Sequence, residues 1–279
     1  LIDSTSFLSE ELKKELDIRT VYLNIVINNH SYKEIIDMTA DKYYEYLRDT
    51  NNSFPTTSQP AIGEVVACLE KLKEEGYTDV IAIALSSGIS GAYSSYTVAG
   101  LMVDGINVHP FDSEVSCKPE GWYAIKAANL IKEGKNSNQI ISALNEMKKV
   151  SKAYFMADDL SHLQRGGRLS GAQALVGSLL QVKPLLHFED KIIVPFQKIR
   201  TYKKVVLRMY ELFDEFYQEH KGENIHVCVL HVDAIEKAHE IKEYLEDKYP
   251  DIAIEIDAIS PVISTHLGLG AIGFGWTIL

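Results

Sequence analysis

The sequence predicts an α/β protein of two domains. An N-terminal α/β domain on a parallel sheet covers residues 1–155, and a C-terminal α+β domain on a mostly antiparallel sheet covers residues 156–279. Three observations carry that prediction. The chain has 279 residues, enough for two cores. Its first half alternates short apolar runs with longer amphipathic stretches, the pattern of parallel strands joined by helices. After about residue 150 the alternation gives way to a hairpin-like segment and two long helical stretches.

In chain order, VYLNIVI (21–27), DVIAIAL (79–85) and INVHPFD (106–112) read as strands. EVVACLEKLKEEG (64–76) carries Val65, Val66, Leu69 and Leu72 at helical spacing and stops at Gly76. AYSSYTVAGLMV (92–103) and WYAIKAANLIKEG (122–134) also read as helices. In the second half PLLHFEDKIIVPF (184–196) predicts a hairpin turning near Glu189–Asp190. Helices over 202–219 and 234–248 and strands IHVCVLHV (225–232) and IAIEIDAI (252–259) follow.

The composition, 46% hydrophobic and 24% charged, is that of an ordinary soluble domain. A formal net charge of -11 disfavours attraction to nucleic acid or anionic membranes. No apolar run approaches the ~20 residues of a membrane span, and no secretory leader is visible. Cys68, Cys117 and Cys228 are scattered, without a CxxC pair, which points to a reducing, cytoplasmic setting and to neither a zinc site nor a disulfide frame.

Several of the first half's loops are rich in hydroxyls. Asp3-Ser4-Thr5-Ser6, Ser86-Ser87-Gly88-Ile89-Ser90-Gly91 and Asp112-Ser113 follow apolar runs, and Thr56-Thr57-Ser58 precedes a helix expected to begin around Pro60. The carboxyl ends of parallel strands share one edge, where ligands sit. One reading makes every hydroxyl a helix cap. The other makes Thr57 and Ser90 ligands for an anion, because Gly88 and Gly91 admit close approach to the backbone.

Enzyme motifs mostly fail. The Ser86–Ser95 stretch has no Lys for a phosphate loop and no GxGxxG, and Ala92 stands where a nucleophile elbow needs glycine. The nine histidines form no HExxH and no i, i+4 pair, so no metal site is expected. What remains is a set of neutral hydroxyls, backbone N–H groups and helix dipoles, suited to holding an anion.

Two basic stretches stand out in this acidic chain. LQRGGRLSG (163–171) sets Arg165 and Arg168 around paired glycines ahead of AQALVGSLL, and KIRTYKK (198–204) gathers Lys198, Arg200, Lys203 and Lys204. They are either a solvated face or a docking patch for a partner or phosphate. PVISTHLGLGAIGFGW places His266 in an apolar, Gly-rich loop with Gly268, Gly270 and Gly273. It is either a packed histidine or part of a site approached closely by a ligand.

DSTSFL (3–8), TTSQPAIGE (56–64), SSGISGAYSS (86–95), LQRGGRLSG, KIRTYKK and STHLGLGAIG (264–273) together resemble the DegV family, essentially end to end. Phe7, the SCKPEGW loop (116–122), Ser264 and Leu269 depart from the usual pattern.

The resemblance implies a long-chain fatty acid buried between two domains and presented to a separate fatty acid kinase. It implies a carboxylate held by Thr57, Ser90 and His266, with Ser58, Ser87, Gly91 and Gly268 around it and no arginine clamp. Arg165, Arg168, Arg200 and Lys203 would then face the kinase. The protein would be a monomeric carrier without cofactor, metal or activity of its own. Two other classes stay open: a serine esterase or acyltransferase using Ser90 and His266, and a sensor of a small phosphate or sugar.

Overall fold

The computed structural model of the chain describes residues 1–169 and 183–279. The apolar AQALVGSLL stretch lies outside them. The N-terminal half runs β1 (Ile2–Asp3), α1 (Glu10–Glu15), β2 (Thr20–Val21), β3 (Asn24–Ile27), β4 (His30–Lys33), α2 (Ala40–Arg48), β5 (Thr56–Ser58), α3 (Ile62–Glu74), β6 (Asp79–Ala84), α4 (Ala92–Met102), β7 (Asn107–Asp112), α5 (Lys118–Lys132) and α6 (Ser137–Val150). The C-terminal half runs β8 (Lys152–Met156), α7 (Ser161–Arg165), β9 (Leu185–Glu189), β10 (Ile192–Gln197), α8 (Tyr202–Glu219), β11 (Ile225–His231), α9 (Ile235–Lys248), β12 (Ile254–Ala258), α10 (Pro261–Leu267) and β13 (Ile272–Ile278).

The parallel sheet has the order β2-β1-β6-β7. The second sheet has the order β10-β9-β8-β13-β11-β12 and is antiparallel except where β11 meets β12. The predicted fold class is therefore observed. Strand β8, on which the expected boundary falls, lies wholly in the second sheet. The hairpin of β9 and β10 turns through Asp190 (φ 48) and Lys191 (φ 72), both left-handed as a two-residue turn requires.

Three stretches fold differently from their expected form. VYLNIVI splits between two sheets, β2 in the parallel one and β3 in a small antiparallel sheet of order β4-β3-β5. At the break the Leu23 N–H donates to Ser4 Oγ and its carbonyl accepts from the Glu34 N–H, which turns the chain out of the first sheet. Thr56–Ser58 is not a helix cap. It is strand β5, paired with β3 through Ile25↔Thr57, and α3 starts at Ile62 without a side-chain cap. The ladder with β3 holds these residues extended, and Pro60 keeps Gln59 extended behind them. His266 sits not in a loop but near the end of α10, where Pro261 opens the helix and Gly268 (φ 74) closes it. The glycines that follow belong partly to strand β13.

The Asp3–Ser6 run forms a buried 3₁₀ turn. Thr5 Oγ1 lies 2.7 Å from Asp3 Oδ1 and 2.8 Å from Glu120 Oε2. One hydroxyl proton cannot serve two carboxylates, so one of them carries a proton. Burial, with the charge of Asp3 beside it, pushes Glu120 well up.

Helix α10 is gripped by the N-terminal half. The Val262 N–H donates to Glu34 Oε2 at 3.0 Å, and Ser4 donates to the other carboxyl oxygen of Glu34. Tyr43 meets Thr265 hydroxyl to hydroxyl at 2.5 Å, and Tyr44 donates to the Ile259 carbonyl at 2.6 Å. On the far side, Gly88 lies so close to the hairpin turn that a Cβ there would stand 2.3 Å from the Lys191 carbonyl oxygen.

Burial pushes the Glu34 carboxyl from 4.5 up to about 7. A carboxyl raised in the folded state is protonated there while the unfolded chain is ionised, so stability falls as pH rises from about 4.5 to about 7. The full effect amounts to about 3 kcal/mol. Asp3 and Glu120 shift in the same direction, so the test is a comparison of variants. Denaturant unfolding at about pH 5 and about pH 8 should show Glu34→Gln losing most of that ~3 kcal/mol of pH dependence. An unchanged slope would mean that Glu34 is ionised throughout.

Candidate functional site

The two halves enclose a cavity of about 370 Å³, a typical size for a small-molecule site. Its floor is one face of the second sheet, with Phe155, Gly273 and Leu230, and its walls include Leu85, Ile89 and Ile263. One stretch of the lining is polar, and it is assembled from distant parts of the chain: Thr57 on β5, Ser90 and Gly91 at the start of α4, His266 on α10, and Arg168.

These polar residues adjoin one another. Thr57 Oγ1 lies 2.8 Å from His266 Nε2. A Cβ on Gly166 would lie 2.2 Å from His266 Nδ1, so only glycine fits beneath the ring. The Arg168 guanidinium donates to the carbonyls of Gly166 and Ile89, which brings it beside Ser90. Ser90 Oγ accepts from the N–H of Ala92, the first residue of α4, at 3.2 Å, while its own hydroxyl proton stays available. Gln59 packs against Gly91 and donates to Ser95 Oγ at 2.8 Å.

Electrostatics favour an anion here. No Asp or Glu is among the described lining residues, and Arg168 forms no ion pair among the described residues. Burial pulls Arg168 below its ordinary value. Burial, reinforced by Arg168 and His162, pulls His266 down to about 3, so the imidazole is neutral. Nδ1 of His266 is buried without a partner among the described residues. An unpaired buried N–H costs more than a bare ring nitrogen, so the proton belongs on Nε2, donated to Thr57 Oγ1. The Thr57 hydroxyl proton is thereby free for a ligand.

Of the residues singled out in the sequence, Thr57, Ser58, Ser90, Gly91 and His266 share this lining. Ser87 does not. Its hydroxyl and N–H both donate to Asp112, whose carboxylate also pairs with Lys191. Gly268 closes α10, packed against the His162 ring. Arg165, Arg200 and Lys203 are exposed, with Arg165 over the Phe54 ring. Arg168 corrects an expectation, because a guanidinium does line the pocket that neutral donors were expected to form alone. Gln59 was missed, though the TTSQP motif contains it. Among the described residues no three His, Cys, Asp or Glu gather as a metal site, and no helix is long and apolar enough to cross a membrane.

The family model for DegV, described as an uncharacterised protein family, matches residues 1–278. This chain belongs to the DegV family. It is 50% identical over 275 residues to Protein DegV of Bacillus subtilis, covering 98% of this chain and 96% of that protein. A DegV domain-containing protein of Listeria innocua is 46% identical over 276 residues, covering 99% of this chain and 96% of that protein. Among solved DegV structures, that of DegV from Bacillus subtilis, described as a fatty acid binding protein, superposes with a TM-score of 0.93 at 49% identity, covering 100% of this chain and 98% of that one. A fatty acid binding DegV family protein from Streptococcus agalactiae gives a TM-score of 0.91 at 30% identity, over 100% of this chain and 97% of that one.

The neutral imidazole gives a direct test. The His266 ring nitrogens of the free protein should show no titration in NMR spectra between about pH 5 and about pH 8. A midpoint near the ordinary histidine value would show the ring to be solvated and the Thr57 contact open.

Proposed function

We propose that this chain binds a long-chain fatty acid in the cavity between its halves and presents the carboxylate to a separate fatty acid kinase. The observation that carries the reading is the meeting of Thr57, Ser90 and His266, drawn from three distant segments, at one side of a mostly apolar cavity. The fatty acid binding described for the Bacillus subtilis and Streptococcus agalactiae proteins supports it. Each buried methylene is worth about 0.8 kcal/mol, so a long tail offers about 10 kcal/mol before ordering costs. Tail burial then sets affinity, and the polar residues set orientation. In this reading the protein is a monomeric cytoplasmic carrier. ATP and its metal belong to the kinase, and Arg165, Arg200 and Lys203 form the docking surface.

The esterase reading has less support. It needs Ser90 bonded to His266 and a carboxylate orienting the ring. Here Ser90 accepts from the Ala92 N–H, His266 bonds Thr57, and no carboxylate contacts the ring among the described residues.

Native mass spectrometry of the purified protein tests the ligand class, with a co-purifying fatty acid as the expected result. A hydrogen bond to a charged group is worth about 1.5–3 kcal/mol. Thr57→Ala and Ser90→Ala should therefore each weaken oleate binding roughly tenfold or more with the fold intact. Wild-type affinity in both would sink the head-group assignment.

Arg200→Ala should lower kinase-coupled acyl phosphate formation, more at low ionic strength than at high, and leave fatty acid affinity unchanged. A parallel loss of binding and thermal stability would return Arg200 to a role in its own domain.

A further inference from the structure

The turn that presents Ser90 is fixed from outside, residue by residue. It follows strand β6 and closes on itself, with the N–H groups of Ile89 and Ser90 both donating to the Ser86 carbonyl at 3.1 Å. Ser86 is buried. Its N–H donates to the Val115 carbonyl at 2.7 Å, and its hydroxyl donates to the Lys191 carbonyl at 2.6 Å. Ser87 gives both of its donors to Asp112. Gly88 packs against the Lys191 carbonyl, and Arg168 Nε donates to the Ile89 carbonyl at 3.0 Å. Ser90 is the next residue, and it lines the cavity. Its Oγ makes one long contact of its own, 3.2 Å to the Ala92 N–H. A hydrogen bond weakens steeply as its geometry departs from ideal. The bond from Ser90 to a ligand is therefore only as good as the placement of the turn.

Asp112 joins the parts of this arrangement. It ends β7, the neighbour of β6 in the parallel sheet, and is itself buried. Its Oδ1 accepts from the N–H groups of Ser87 and Glu114, each at 3.1 Å. Its Oδ2 accepts from the Ser87 hydroxyl and lies 3.1 Å from Lys191 Nζ. Burial works against its charge, but these donors outweigh burial and hold the carboxyl below its ordinary range. Lys191 stands in the turn of the β9–β10 hairpin, whose Phe188 and Ile193 line the same cavity. Two groups of one residue thus reach two successive serines. The Lys191 carbonyl holds Ser86 directly, and its ammonium holds Ser87 through Asp112. A polar network with its members paired favours a single arrangement.

Resting on the fatty-acid reading above, we propose that Asp112 and Lys191 are positioning residues for the head group. Neither lines the cavity. They hold the Ser86–Ser90 turn against the hairpin and so set where Ser90 Oγ meets the carboxylate. Ser87, which the sequence placed among the ligand-binding residues, serves this network instead.

The test is a double-mutant cycle on oleate affinity, with wild type, Asp112→Asn, Ser90→Ala and the double variant. Asparagine keeps the shape of Asp112. Its amide oxygen can still serve the two N–H groups, which leaves its amide nitrogen facing Lys191 Nζ, donor against donor. Asp112→Asn should weaken oleate binding about fivefold in the wild-type background and less than about 1.5-fold in the Ser90→Ala background. Lys191→Asn removes the ammonium while tolerating the left-handed backbone at this position (φ 72). It should show the same dependence on Ser90 with a smaller loss, about twofold, and decides the matter if Asp112→Asn fails to fold. An equal loss in both backgrounds would mean that the network only supports the fold, and no loss in either would mean that the turn holds without it. Both results overturn the assignment. Wild-type affinity in Ser90→Ala alone would instead remove Ser90 from the head-group site, and this assignment with it.

Discussion

The contact between Thr57 and His266, 2.8 Å long and spanning 209 residues of sequence, is the interaction on which the site depends. Neither residue has a role without the other half of the chain. Thr57 sits on a strand of the small antiparallel sheet, and His266 on a short helix between two strands of the second sheet. What brings them together is the docking of that helix by Glu34, Tyr43 and Tyr44, all buried and all bonded into its backbone, its hydroxyls or the segment just before it. Leaving such groups unpaired costs about 1–3 kcal/mol each, so the docked arrangement is strongly preferred over any nearby one. The cavity is a consequence of this closure.

Within the cavity two kinds of interaction divide the labour. Most of the walls are apolar, and Gly273 leaves a gap in the floor between Phe155 and Leu230, so an acyl tail held there as proposed would gain affinity in proportion to the length it buries. The polar residues present donors and no carboxylate. Thr57 offers a proton because a neutral His266 occupies its acceptor side, and Ser90 offers one because α4 occupies its own. Arg168 adds a positive charge held, among the described residues, by main-chain carbonyls. Such a site holds an anionic head in one orientation without attacking it.

Much of the fold was legible because it rests on local pattern. The helix over 202–219 and the hairpin near Asp190 follow from periodicity and turn chemistry. What escaped depends on partners far away in sequence. Val21–Ile27 reads as one strand, but Ser4 and Glu34 take the backbone groups of Leu23 and split it. Thr57 reads as a cap, but ladder pairing with Ile25 makes it a strand residue. Pro60 reads as a helix start, but α3 begins at Ile62, and Pro261, in a stretch that reads as a loop, opens α10. The candidate site was legible through the TTSQP and SSGISG motifs and His266. The position of Arg168 in the lining escaped because it depends on the Ile89 carbonyl, 79 residues away in sequence.

The most direct test is a crystal structure of the protein with oleate bound. The account predicts one carboxylate oxygen roughly 2.5–3.2 Å from Thr57 Oγ1 and from Ser90 Oγ, with the tail running within the cavity over Gly273. A carboxylate at the other end of the cavity, or an acyl chain lying outside it, would contradict the account.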